Sequence, residues 1–254
     1  MPDGGTQAYR EVAELLCLRR NAVALTGAGI SVESGIPAFR GAQGLWKTYD
    51  PMEYATIGAF LRDPEKVWVM LSEMLGVLSR AAPGPAHLAL AELEGAGVLR
   101  SVITQNVDGL HQAAGSRRVI EFHGGAEELV CVCCGKRYPL QEKVREGIPP
   151  RCACRRILKP DLVLFGEPIP LPAQEDAEAE AERASVLLVI GTSAEVSPAC
   201  DIPRISKNSG ALIVEINPEE TLLTRAVADR HIRETAGAAM SMLMREVRSL
   251  AGEE

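Results

Sequence analysis

A chain of 254 residues with 34 acidic and 27 basic side chains carries a formal net charge of −7. Gripping many phosphates requires a basic face, so the balance points away from direct nucleic-acid binding, while a modest negative charge serves solubility and suits a lysine-rich peptide partner. At 46% hydrophobic and 24% charged residues, the composition is that of a globular enzyme whose length accommodates one large core with an inserted module. No apolar run approaches the ~20 residues that span a bilayer. The first residues, MPDGGTQAYREVAELL, lack the basic start, apolar stretch and cleavage site of an export signal, so the expected location is cytoplasmic, with no membrane partner.

Along the chain, four short runs (22–26, 98–104, 185–192 and 211–216) are rich in Val, Ile and Leu without alternation. That is the pattern of parallel strands covered by helices on both faces. Helical patterns at 9–19, 85–95 and 172–184 precede the first three strands. A last helical pattern at 238–250 spaces Met240, Leu243, Met244 and Val247 along one face. The alternation predicts an α/β fold, an open Rossmann-type doubly wound parallel sheet. Two stretches break it: 33–75, a Gly/Pro-rich loop followed by helix-like segments including 65–78, and 124–158, which holds most of the cysteines. The expected division is a large domain from 1–32, 76–123 and 159–254, with the two excursions forming a smaller helical and metal-binding module. The Glu/Ala-rich run 175–182 reads as a solvated helix face.

Gly27-Ala28-Gly29 directly follows the first strand. Glycines there let a backbone approach a pyrophosphate, but a bare GxG also serves a purely steric turn, and GxGxxG is not met because Ser31 and Val32 precede Glu33. Phe39 and Arg40 stand on the loop beyond; Arg40 suits a phosphate and Phe39 an aromatic leaving group, unless this is an ordinary loop around a buried Phe. After the second strand come Gln105, Asn106, Asp108 and His111. Amides and a carboxylate at a strand's carboxyl end bond ribose hydroxyls or a carboxamide, although Asn106 and Asp108 also suit helix capping, and His111 reads as structural. His123 ends another apolar run before two glycines, placing an imidazole that titrates near neutrality where either a general base or a structural histidine fits.

Five of the seven cysteines lie between 131 and 154. Cys131 and Cys134 form a CxxC, and Cys152 and Cys154 form a CxC. Four thiolates from two turns complete a closed, structural tetrahedral Zn2+ site, with Cys133 as a possible substitute ligand and a redox dithiol as the alternative.

Taken in order, GAGIS…SGIP.FRG, TQNVDGLH, EFHGG, the paired cysteines, LKPDLVLFGE, GTS..V.PA and the late IN resemble the sirtuins, from about residue 20 to about residue 240. The resemblance implies a Rossmann-type NAD domain, a smaller domain with one structural zinc ion, and a cleft between them. It implies NAD-dependent removal of acyl groups from protein lysines, giving nicotinamide, free lysine and O-acyl-ADP-ribose. His123 corresponds to the family's base, with Asn106 and Asp108 catalytic beside it. Carried-over cofactor positions are Gly27, Ala28, Gly29, Ile30, Ser31, Phe39, Arg40, Gln105, Asn106, Val107 and Asp108, then Gly191, Thr192 and Ser193, Asn217 and Ala236. Val163, Phe165 and Gly166 correspond to the acyl-lysine channel and pair with the substrate backbone by strand addition. Val32 replaces a frequent Ala, Gly125 a frequent Ser or Asn, and the CxC shortens the second metal arm. Members preferring acidic acyl groups carry a Tyr and an Arg three residues apart; here Leu71 and Met74 stand there, so neutral acyl groups, acetyl first, are expected. An ADP-ribosyltransferase on the same scaffold and a non-enzymatic NAD-sensing module are the alternatives.

Overall fold

The computed structural model describes residues 4–38 and 44–252. In chain order the strands are β1 (Ala22–Thr26), β2 (Leu99–Thr104), β3 (Val119–Glu121), β4 (Gly124–Val130), β5 (Arg137–Pro139), β6 (Lys159–Leu162), β7 (Val186–Ile190), β8 (Leu212–Ile216) and β9 (Arg230–Ile232). Six of them form one parallel sheet in the order β3-β2-β1-β7-β8-β9, and β5-β4-β6 form an antiparallel sheet. The four apolar runs are β1, β2, β7 and β8, the centre of the parallel sheet.

Alternate residues of these strands feed two cores. Ala22 and Ala24 of β1, with Val186, Leu188 and Ile190 of β7, pack with the helices Gly4–Arg19, Pro85–Gly95 and Ala236–Ala251. Val23 and Leu25, with Leu187 and Val189, pack on the opposite face with Ala177 and Ala181 of the helix Leu171–Arg183. Burial on both faces removes the period-two signal, and each buried Val, Leu or Ile contributes about 1.5–3 kcal/mol. The run 175–182 is not wholly a solvated face. Glu180 is fully buried and accepts from Arg100 Nε at 2.8 Å, Ser101 Oγ at 2.9 Å and Arg118 Nη2 at 3.0 Å, which fastens its helix under β2 and β3.

The chain fills β1, β2 and β3 outward to one side, then returns to the other side of β1 for β7, β8 and β9. The order therefore reverses between β1 and β7. In an open α/β sheet a ligand crevice forms outside the carboxyl ends of the strands at this switch point.

A third apolar cluster joins the two excursions. Phe60, Trp68 and Leu71 from the helices Ile57–Arg62 and Pro64–Leu78 pack with Leu129, Cys131, Cys152, Leu158 and Leu164. The second helix starts where Asp63 accepts the Lys66 N–H at 3.0 Å ahead of Pro64, and Trp68 Nε1 donates to Leu158 O at 2.8 Å. The expected boundary after residue 158 is displaced, because 159–162 pairs with β4 and so belongs to the antiparallel sheet. Among the described residues, no helix is long and apolar enough to cross a membrane.

Candidate active site

At the switch point, β1 ends on Gly27-Ala28-Gly29 and β7 on Gly191-Thr192-Ser193. The two turns touch. Gly29 N–H donates to Gly191 O at 2.8 Å, and a Cβ on Gly29 would stand 2.7 Å from Gly191 Cα. Gly191 itself has φ +62°, and a Cβ there would reach Ile30 N at 2.5 Å. These glycines therefore serve first to let two backbones meet, and the element they open is the 3-10 helix Ala28–Ser34. Gly29→Ala is expected to push backbone into backbone and cost about 2–3 kcal/mol, a fall of roughly 5–10 °C in Tm. Gly76→Ala, in the last turn of the helix Pro64–Leu78 with open space at its Cβ, is expected to raise stability by up to about 0.5 kcal/mol. Thermal unfolding of the two variants checks both.

A cleft of about 760 Å³ opens on these turns. Its wall holds Gly27, Ala28 and Gly29, Gln105, Asn106 and Val107, His123, Val163, Phe165 and Gly166, Gly191, Thr192 and Ser193, and Asn217 and Ala236. Its volume lies within the range of small-molecule and cofactor sites. An adjoining apolar recess of about 120 Å³ is bordered by Ser31, Val107 and Asp108. The structure thus gathers the positions expected along the chain, with two exceptions. Ile30 is 1% exposed and packs in the core between sheet and helices, so its side chain faces away from the cleft. Phe39 and Arg40 lie outside the described residues.

Asn106 and Asp108 converge on the buried Ser31. Ser31 Oγ donates to Asp108 Oδ2 at 2.7 Å and accepts from Asn106 Nδ2 at 3.2 Å, and Asn106 also reaches Gly27 O at 3.2 Å. Asp108 is a local cap as well, its Oδ1 accepting the Leu110 N–H at 3.0 Å, whereas the Asn106 amide is turned to Gly27 and Ser31. One partner of this network was not singled out by the sequence. His87 Nδ1 accepts the Gly84 N–H at 3.2 Å, which leaves its Nε2–H toward Ser31 Oγ at 3.4 Å. A lone histidine 56 positions from its serine leaves no trace in motif spacing. Its ring meets His111 edge-on at 4.8 Å. His111 is only half satisfied: Nε2 bonds Thr26 Oγ1 at 2.9 Å, Nδ1 has no partner among the described residues, and burial, aided by His87, pushes its pKa down to about 3.

His123 Nδ1 lies 2.9 Å from the carbonyl of Gln105. A carbonyl only accepts, so Nδ1 carries the hydrogen and Nε2 keeps the lone pair. Burial holds the imidazole below its ordinary pKa, which keeps that lone pair available at neutral pH. Gln105 is fixed in turn by donating to Thr192 Oγ1 at 3.0 Å, and Asn217 Nδ2 donates to Thr192 O at 3.2 Å. At the other end of the cleft, Val163 N–H donates to His123 O at 2.8 Å, while Phe165 exchanges hydrogen bonds with Ala55 O and Ile57 N at 2.9 and 3.0 Å. Phe165 therefore has no main-chain group left for strand addition and offers its half-exposed ring. Among the described residues, Val163 C=O and Gly166 N–H bear no hydrogen bond.

The sulfur atoms of Cys131, Cys134, Cys152 and Cys154 all lie within 4.8 Å of one another, with Cys131–Cys154 at 3.5 Å and Cys134–Cys152 at 3.6 Å. A tetrahedron of four thiolates around zinc has S···S edges of roughly 3.8 Å, so the set fits that ion, and the exposed Cys133 stands outside it.

A doubly wound α/β protein with a four-sulfur metal site and a histidine beside a dinucleotide-sized cleft is a specific combination. The family model described as the Sir2 family matches residues 27–198. An NAD-dependent protein deacylase of Thermococcus kodakarensis is 50% identical over 248 residues, covering 95% of this chain and 96% of its own length. NAD-dependent protein deacylase 2 of Pyrobaculum aerophilum is 51% identical over 238 residues, covering 93% and 95%. A solved Sir2 homologue–NAD complex superposes with a TM-score of 0.84 at 46% identity, over 93% of this chain and 94% of that one. A Sir2 structure with a deacetylated p53 peptide and 3'-O-acetyl ADP-ribose gives 0.88 at 38% identity, over 93% and 97%. The chain belongs to the Sir2 family.

Proposed function

We propose that the protein removes neutral acyl groups, acetyl first, from protein lysines with NAD as cosubstrate, releasing nicotinamide and leaving free lysine and O-acyl-ADP-ribose. The observation that carries this is a single cleft lined together by His123, whose Nε2 keeps its lone pair, by the glycine turns and by the 163–166 segment. NAD supplies a ribose carbon with nicotinamide as its leaving group. Gly191, Thr192, Ser193, Asn217 and Ala236 hold the adenosine end, with Gly27, Ala28 and Gly29 nearer the pyrophosphate. Gln105, Asn106, Val107 and Asp108, steadied by Ser31, surround the nicotinamide ribose, and His123 Nε2 takes a proton from one of its hydroxyls. Val163 and Gly166 pair with the peptide backbone, and Phe165 covers the acyl-lysine stem. Lys159–Leu162 apart, 1–32, 76–123 and 159–254 form the NAD-binding part in this scheme, and 33–75 with 124–158 the smaller one. A cytoplasmic location fits, because thiolate ligands need a reducing compartment.

Met70, Leu71 and Met74 line the acyl end, and among the described residues no Lys or Arg borders the cleft. A succinyl carboxylate would therefore be desolvated without a partner. With an acetyl-lysine peptide, nicotinamide release from NAD should depend on the peptide, and a succinyl-lysine peptide should react at least about tenfold more slowly. Peptide-independent label transfer from NAD to protein would favour ADP-ribosyl transfer instead, and absence of nicotinamide release from folded protein would overturn the assignment.

A further inference from the structure

One charged pair beside the cleft has no task in that scheme. Lys159 opens β6 and is 3% exposed, an expensive place for an ammonium unless it is fully partnered. Its Nζ donates to Pro160 O at 3.2 Å and Leu162 O at 2.5 Å, and meets Glu167 Oε2 at 3.0 Å. That same carboxylate oxygen accepts the Leu164 N–H at 2.8 Å, while Glu167 N–H returns to Leu164 O at 3.0 Å. The pair thus ties the start of the 159–167 segment to its end. Three acceptors meet at one point, and only a long chain ending in several N–H donors satisfies them.

What lies between the two charges is the run that borders the acyl-lysine channel. Its Val163 and Phe165 amides are spent on His123 O and Ala55 O, and Gly166 turns at φ +87° against Ile57. Val163 C=O and Gly166 N–H, which bear no hydrogen bond among the described residues, keep their places only while the curvature of the loop is fixed.

We infer that Lys159 and Glu167 are positioning residues for the acyl-lysine substrate: their ion pair, buried on the lysine side, holds 162–166 as a preformed strand edge for the peptide. The inference rests on the deacylase assignment above. A preformed edge spares the peptide the entropy cost of ordering the loop, so the pair acts on peptide binding rather than on NAD.

The test is steady-state kinetics with an acetyl-lysine peptide and NAD varied separately, together with peptide binding by fluorescence anisotropy and thermal unfolding. Glu167→Ala removes both the carboxylate that pairs with Lys159 and the acceptor for Leu164. Its peptide KM should rise about tenfold or more, with NAD KM changing by no more than about twofold. Glu167→Gln keeps an acceptor for Leu164 and should recover part of the loss. The double variant Lys159→Met/Glu167→Gln strands no charge and so should remain folded, yet its peptide KM and anisotropy Kd should stay raised. An unchanged peptide KM in folded Glu167→Ala, or peptide and NAD KM rising by the same factor, would overturn the inference. Wild-type protein that releases no nicotinamide with any acyl-lysine peptide would overturn the deacylase assignment itself.

Discussion

His123→Ala is expected to lower kcat for deacylation by about 10²–10⁴-fold, the range for removal of a positioned general base. Its Nδ1 bond to Gln105 O fixes the tautomer, so the variant loses the lone pair at Nε2 and one hydrogen bond, the latter a stability loss of about 1 kcal/mol. NAD affinity, carried by the turns and by Asn106, should change by less than about threefold, since no NAD-facing donor is removed. The pH profile gives a sharper readout. A base works when neutral, and burial lowers the pKa of His123 below the ordinary 6.5. Lowering the pKa extends the neutral form toward acid, so the acidic limb of kcat/KM should fall below pH 6.5, with more than half of the plateau retained at that pH. An inflection at or above 6.5, or a His123→Ala enzyme at wild-type rate, would remove His123 from the role of base.

The strands are legible where burial on both faces erases alternation: AVALT and VLLVI are short, apolar and bounded by turn residues, as buried parallel strands are. β9, three residues reading Arg-His-Ile, carries no apolar pattern and is a strand only because β8 lies beside it. β4, β5 and β6 were hidden for a related reason. Gly124, Lys159 and Pro160 hold strand positions through pairing and a cysteine-rich turn, not through propensity. At the site, motif order singled out Asn106, Asp108 and His123, and the fold places Asn106 and His123 on the cleft and Asp108 on the adjoining recess. Motif order could not show that Gly29 meets Gly191, that Ile30 turns into the core, or that His87 and Lys159 are buried partners. Each of those depends on which segments the sheet brings together, across separations of 56 residues for His87 and Ser31 and 162 for Gly29 and Gly191. Asp108 was offered as either ligand group or helix cap, and its two oxygens allow it to be both.

Cys152→Ala is expected to abolish zinc binding and, with it, peptide-dependent turnover. A structural zinc site supplies about 10–16 kcal/mol of apparent binding energy in small domains, as much as the whole stability of a typical fold. Here Cys131 and Cys152 are themselves buried in the cluster that contains Trp68, Leu71, Leu129 and Leu164. Leu71 and Leu164 also line the cleft, Leu164 between Val163 and Gly166, the residues proposed to present the substrate edge. Releasing the metal should therefore loosen the cleft wall formed by Leu71 and Leu164, and the effect should exceed that of any single contact. Metal analysis should find one zinc per wild-type chain and none in Cys152→Ala, while Cys133→Ala, altering a thiol outside the cluster, keeps its zinc and its rate. Activity in Cys152→Ala should fall by at least about 100-fold, since loss of even 3 kcal/mol of substrate positioning suffices for that. The two large cores on either face of the parallel sheet contain none of the four ligand cysteines, so far-UV circular dichroism should retain most of the helical signal. A fully active Cys152→Ala protein, or one that still carries one zinc per chain, would show that these four sulfurs do not hold the module together.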